Sequence, residues 1–212
     1  MLVIGAGGQA SNVVNLAIAL NYSVQGFIHD GKSGQTLFGK PIFADLQDIE
    51  SVNDYVYCMA VGDNYQREKY LEELRSLFPD LVFPALVHPT CSVGPYSQIG
   101  DGSVVMPQTV IGTNSLVGEF CVLGNQSCLG HDSQLADFSS LGPASTLGGD
   151  TRLGRRSAVG MGAKVREKVS IGADSILGAC SFLNDNLQEA VIAFGTPAKM
   201  IRSRQVGDSY LR

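Results

Sequence analysis

His131 is the only histidine between Val93 and the C-terminal Arg212, and Gly149 follows it by eighteen residues. An imidazole can accept a proton near neutral pH, and a glycine leaves its backbone N–H uncovered. Side by side, the two suit acyl transfer: the base takes a proton from the nucleophile while the amide holds the oxygen on which charge develops. Without a partner, a lone histidine at a turn is more often a solvated side chain. A second chemical signal lies at the other end of the chain. Gly5-Ala6-Gly7-Gly8-Gln9-Ala10 fits G-x-G-x-x-G/A, in which bare backbone at a helix N-terminus receives a phosphate. Asp30 follows about 20 residues later, where such folds place a ribose contact. A tight turn would use the same glycines, and Asp30 also fits a solvated turn.

The elements that must position these residues fall into two kinds. LVIG (2–5) reads as a short buried strand, followed by a helix carrying Val13, Val14, Ala17 and Leu20 on one side. Strands are expected at 24–28 and 56–62. The next helix is expected to be capped by Asp63 with Gln66, to bury Tyr70, Leu74, Leu77 and Phe78, and to stop at Pro79. Together these make a small Rossmann-like α/β domain over 1–84.

From Val93 to Leu183 every sixth residue is Ile, Leu or Val; the next position is glycine in 12 of the 16 units, and the fifth is Ser or Thr in 12. This is the hexapeptide period of a parallel β-helix, a β-solenoid in which three units close one triangular coil and about five coils follow. It spans 85–188 and leaves 189–212 as a C-terminal segment. Residues 18 apart stack on adjacent coils, so His131 lies between Thr113 and Gly149. The expected product is α/β plus β-solenoid.

The composition narrows the partners. Among 212 residues, 15 basic against 20 acidic side chains give a net charge of −5, so nothing favours nucleic acid or an anionic membrane surface. The uncharged stretch 1–28 lacks a basic leader and is broken by Gly7, Gly8, Gln9 and three asparagines, which reads as buried structure and not as a membrane span. Five cysteines without a C-x-x-C pair argue against zinc and against a disulfide framework, and fit the cytoplasm. The three histidines are too scattered on the lattice to make a metal triad, so no metal is expected. A basic stretch, Arg152, Arg155, Arg156, Lys164, Arg166 and Lys168, could attract a phosphorylated ligand or form a solvated face.

LVIGAGGQA (2–10), GFIHD (26–30), AVGDNYQR (60–67), VHPTC (87–91), GHD (130–132) and GTPAKMIR (195–202) together resemble the hexapeptide-repeat acetyltransferases of nucleotide-linked amino sugars. These serve bacterial surface glycans and include enzymes acting on bacillosamine, perosamine and sialic acid. The resemblance implies a left-handed β-helix, a homotrimer, acetyl-CoA as co-substrate between neighbouring prisms, and a nucleotide-linked amino sugar held by the first domain. It implies His131 as catalytic base, Asp132 as the acid that orients it, and Gly149 as the amide contacting the acetyl carbonyl. Met161 and Ala179 fall where pantetheine is held, with Lys164 and Arg166 available to the CoA phosphates. Gly7, Gly8, Gln9, Asp30, Gly62 and Asn64 fall around the nucleotide sugar. The chain departs from the pattern at three places: Gln9 replaces a common histidine, Ser140 replaces a second active-site histidine, and Gly124 replaces an asparagine. Sugar O-acetylation on the same scaffold and a non-catalytic nucleotide-binding trimer remain open beside N-acetylation, as does the choice among UDP, GDP and dTDP.

Overall fold

The computed structural model describes residues 1–210; Leu211 and Arg212, the end of the expected C-terminal segment, lie outside the described residues. The chain begins with β1 (Leu2–Ile4) and α1 (Gly8–Ala19), which leads to β2 (Gly26–Ile28). A hairpin of β3 (Thr36–Leu37) and β4 (Lys40–Phe43), then β5 (Tyr57–Met59) and α2 (Asn64–Leu77), complete the unit. The sheet order is β3-β4-β2-β1-β5, parallel except for β3. The hairpin was not read from the sequence, because Pro41 sits inside β4 and β3 has only two residues.

Strand order reverses between β1 and β5, and α/β sheets bind ligands at such a switch. Gly5 is needed there. Its φ is +109°, and a Cβ would lie 2.8 Å from the Ala60 carbonyl oxygen.

The prism starts one hexad earlier than the Val93 period, at a strand over Leu86–Val87. Two-residue strands then repeat every six residues to Leu183 and stack in parallel at a spacing of 18, forming three faces of a left-handed β-helix. Leucine, isoleucine and valine fill the prism as expected. Most of the repeated hydroxyls are buried, Ser145 Oγ without a partner among the described residues, and several bond across coils: Ser103 Oγ donates to the Gly118 carbonyl at 2.8 Å, and Ser115 Oγ to that of Gly130 at 2.8 Å. A buried hydroxyl needs such a partner. The glycine register follows from close approach of coils, since a Cβ on Gly130 would stand 2.5 Å from the Gly149 nitrogen. A hairpin over Val191–Gly195 and Ala198–Ser203 continues one face, with Ile192 paired to Ile176.

The α/β unit sits on that same face and on one corner. Buried residues of α1 pack with Leu86, Val104 and Met106, while Leu71 and Leu74 of α2 pack with Phe83, Phe120 and Phe138. The buried side of α2 differs from the expected one: it runs through Asn64, Arg67, Glu68, Leu71 and Leu74, and Leu77 is 61% exposed. Polar groups hid this face from a hydrophobicity reading. Arg67, 1% exposed, donates to the carbonyls of Val61, Gly62, Phe120 and Phe138 and to Asn64 Oδ1. Asn64 Nδ2 in turn donates to Ser140 Oγ at 3.2 Å and to the carbonyls of Arg156 and Ser157.

Glu68 completes this junction. It accepts from Arg155 and, at 2.6 Å, from Arg156, whose other side is held by Asp174 at 2.7 Å. Glu68→Gln keeps the shape and removes the charge, leaving two guanidinium groups short of a carboxylate. Breaking such a pair costs about 3 kcal/mol. A fall of several degrees in melting temperature is therefore expected by calorimetry, and an unchanged melting point would show the network to be energetically idle.

Candidate active site

The predicted catalytic residues occupy one corner of the prism. Neighbouring side chains on a strand face opposite ways, but Asp132 has a φ of +57° and lies in a turn. Both side chains therefore leave the same corner, and His131 Nδ1 lies 2.7 Å from Asp132 Oδ2. Asn114, one coil below, donates to Asp132 Oδ1 at 2.7 Å. The hydrogen bonds from Asn114 and His131 hold the Asp132 carboxyl below its ordinary range. An ionised carboxylate only accepts, so the proton of the short contact sits on Nδ1 and Nε2 is the basic nitrogen. The pair is open to solvent, with side chains 70% and 51% exposed.

Gly149 forms the seat of this ring. A Cβ there would lie 2.4 Å from His131 Nε2, so only glycine lets the imidazole rest in its observed place. The Gly149 N–H donates to no acceptor among the described residues, while its carbonyl accepts from Lys168 N at 2.9 Å.

The binding residues are elsewhere. A cavity of about 490 Å³ opens between the α/β unit and the prism face beneath it. Gln9 and Gly62 line it from the first domain, and Met161 and Ala179 from the coils, so one cavity collects members of the expected acceptor and donor sets. The three departures from the family pattern also meet there, Gln9, Gly124 and Ser140 all being wall residues. Its polar walls are uncharged, and Gln9 Nε2 is buried with no hydrogen-bond partner.

Asp30 lies in a second cavity of about 360 Å³ at the strand ends, with His29, Asp45, Val61, Gln66 and Tyr70. Burial, aided by Asp45 and Asp30, raises the Tyr70 phenol above its usual range. Gly7 and Gly8 stand at an α1 N-terminus with no side-chain cap, where an added Cβ would meet nothing within 4 Å. The sequence reading missed Lys32, whose Nζ donates to the Ala6 carbonyl in this turn at 2.8 Å.

Several expected ligand contacts are committed to the protein. Asn64 is buried in the junction, and Arg155 and Arg156 are paired with Glu68, Asp137 and Asp174, which overturns their share of the basic-stretch reading. The Asp174 carboxylate holds the Arg156 guanidinium above its usual range. Arg166 lies 3.7 Å from Glu167, and Lys164 stands on the face between the two corners, where it makes no ion pair among the described residues. No group of three or more metal-ligating side chains occurs among the described residues, and none of their helices is long and apolar enough to cross a membrane.

The PglD N-terminal domain family matches residues 1–74, and the bacterial transferase hexapeptide family (six repeats) matches residues 90–125. PerB from Caulobacter crescentus, solved in complex with CoA and GDP-perosamine, is 30% identical over 94% of this chain and 95% of its own, with a TM-score of 0.87. The chain belongs to the hexapeptide-repeat nucleotide-sugar N-acetyltransferase family. The acetyltransferase domain of PglB from Neisseria gonorrhoeae FA1090, solved with acetyl coenzyme A, is also 30% identical, covering 94% of this chain and 98% of that one at a TM-score of 0.87. WeeI from Acinetobacter baumannii AYE, at 24% identity and a TM-score of 0.87, shares the fold. No curated protein matches the sequence. As a member of this hexapeptide-repeat family, the protein is an acyltransferase that uses acetyl-CoA.

Proposed function

We propose that the protein transfers the acetyl group of acetyl-CoA to an amino group of a nucleotide-linked deoxysugar destined for a bacterial surface glycan. The observation that carries this reading is the shared cavity, in which Gln9 and Gly62 of the acceptor set face Met161 and Ala179 of the donor set. An acceptor would run from the Asp30 cavity, across Gly7, Gly8 and Lys32, into the neutral cavity. That order suits a nucleoside, a diphosphate and a sugar. Val61 lines the first cavity and Gly62, its neighbour in the chain, lines the second.

His131 takes a proton from the attacking amine, directly or through water, while the nitrogen bonds to the acetyl carbon and the CoA sulfur departs. Asp132 fixes the ring and keeps Nε2 basic. The Gly149 N–H donates to the acetyl oxygen as it gains charge. Within one chain the His131 corner and the cavity belong to different corners, with a whole face between them. The site is completed when a second copy brings its His131 corner to the cavity, which a cyclic homotrimer does three times.

Acetyl-CoA and a panel of UDP-, GDP- and dTDP-linked amino sugars supply the test. Thiol release coupled to an acetylated product that resists hydroxylamine is expected. A hydroxylamine-labile product would mean an ester and overturn N-acetylation, and no turnover across the panel would overturn the reading itself. Lys32→Ala is expected to weaken nucleotide-sugar binding about 10- to 100-fold, in keeping with loss of one charged hydrogen bond. It should also flatten the dependence on salt, and calorimetry at two ionic strengths reads both effects.

A further inference from the structure

The C-terminal strap after Ser203 crosses the junction and brings Tyr210 to the cavity wall. Arg204, only 8% exposed, is held on both sides: its backbone N–H donates to the Ala190 carbonyl at 2.8 Å, and Nη1 donates to the Asp174 carbonyl at 2.9 Å. Its Nη2 donates to the Asp208 carbonyl. The Asp208 carboxylate closes the turn by accepting from Gln205 N at 3.0 Å, with Arg202 3.8 Å away. Gly207, at a φ of +91°, lets the chain pass over the Tyr65 ring of α2. This turn delivers the phenol of Tyr210 to the cavity wall, with the Arg204 guanidinium 5.9 Å from its ring centre.

The phenol is anchored but not saturated. Its oxygen is 3.4 Å from Ser140 Oγ and 3.5 Å from the Gly62 carbonyl, both at the long limit for a hydrogen bond. Ser140 Oγ already accepts from Asn64, so its own proton is free to point at Tyr210 or at a ligand. Across the cavity Gln9 Nε2 is a donor without an acceptor. Hydroxyls and amides with spare capacity, and no charge, are the groups that recognise a neutral polyol and not a phosphate.

We propose that Tyr210, carried in by the C-terminal strap, is a specificity-determining residue of the acceptor site, reading a sugar hydroxyl together with Ser140 and Gln9. This rests on the functional reading above. Burial raises the phenol above its ordinary range, so Tyr210 remains a neutral donor throughout the neutral and mildly alkaline range.

Tyr210→Phe keeps the ring and removes only the hydroxyl. The expected result is an acceptor KM raised about 3- to 10-fold, with kcat, the KM for acetyl-CoA and the melting temperature unchanged. Acceptors deoxygenated at each position should identify the one whose loss matters for the wild type and no longer matters for the variant. Equal acceptor KM in the two proteins, or a rise confined to acetyl-CoA, overturns the inference while leaving the functional reading intact. If the wild type neither binds nor acetylates any amino sugar of the panel, both fall together.

Discussion

Replacing His131 by alanine is expected to lower kcat by about 10²- to 10⁴-fold, the usual worth of a positioned general base. KM for both substrates and the melting temperature should stay near wild type, because the imidazole is largely solvent-exposed and its one side-chain partner is Asp132. The more searching variant is Gly149→Ala. Its backbone is outside the left-handed region, so alanine is tolerated there, and the clash falls on a ring that is free to swing into solvent. Stability should therefore hold while the base is displaced by about an ångström or more, an error that costs about 10²-fold in rate. Toward acid, the Asp132 carboxyl, held below its ordinary range by Asn114 and His131, stays ionised to lower pH than an ordinary carboxylate, so its grip on Nδ1, and the rate that depends on it, should be lost only there. Stopped assays of thiol release, paired with melting curves, measure all of this. A Gly149→Ala enzyme of wild-type rate would show that neither the ring position nor the amide geometry matters.

The prism was legible because its period is a steric rule. Most glycines of the register face the backbone of the next coil, and several of the repeated serines donate to a carbonyl there, so the six-residue pattern is nearly the structure itself. The same stacking rule gave the approach of Gly149 to His131 and, applied once more, would have given Asn114 as the donor to Asp132. What the sequence hid was polar and non-local. Arg67 and Glu68 look like solvated helix residues, yet they are buried because carbonyls and guanidinium groups far along the chain meet them. Arg155 and Arg156 look like ligand cations for the converse reason. Nothing local in the sequence tells a cation already paired with carboxylates from one that is free. Lys32 and Tyr210 carry no motif, and only the folded chain brings them to the glycine turn and the cavity.

The largest gain in activity is expected from mixing two dead proteins. His131→Ala lacks the base but keeps the cavity. Ala158→Phe keeps the base and fills the cavity from the prism face, since Ala158 is one of its wall residues. If each site takes its base from one subunit and its cavity from the next, every mixed ring of three contains one interface where both are wild type, whichever variant is in the majority. Co-expressing the two with different affinity tags and purifying on both should recover about a third of wild-type activity from parents that each have almost none. If base and cavity acted within one chain, no mixture could exceed its parents. Melting curves of the Ala158→Phe parent guard against a folding defect, because an unfolded subunit would not survive the double purification. The recovered fraction thus reads directly whether the empty face between the His131 corner and the cavity is bridged by a second copy.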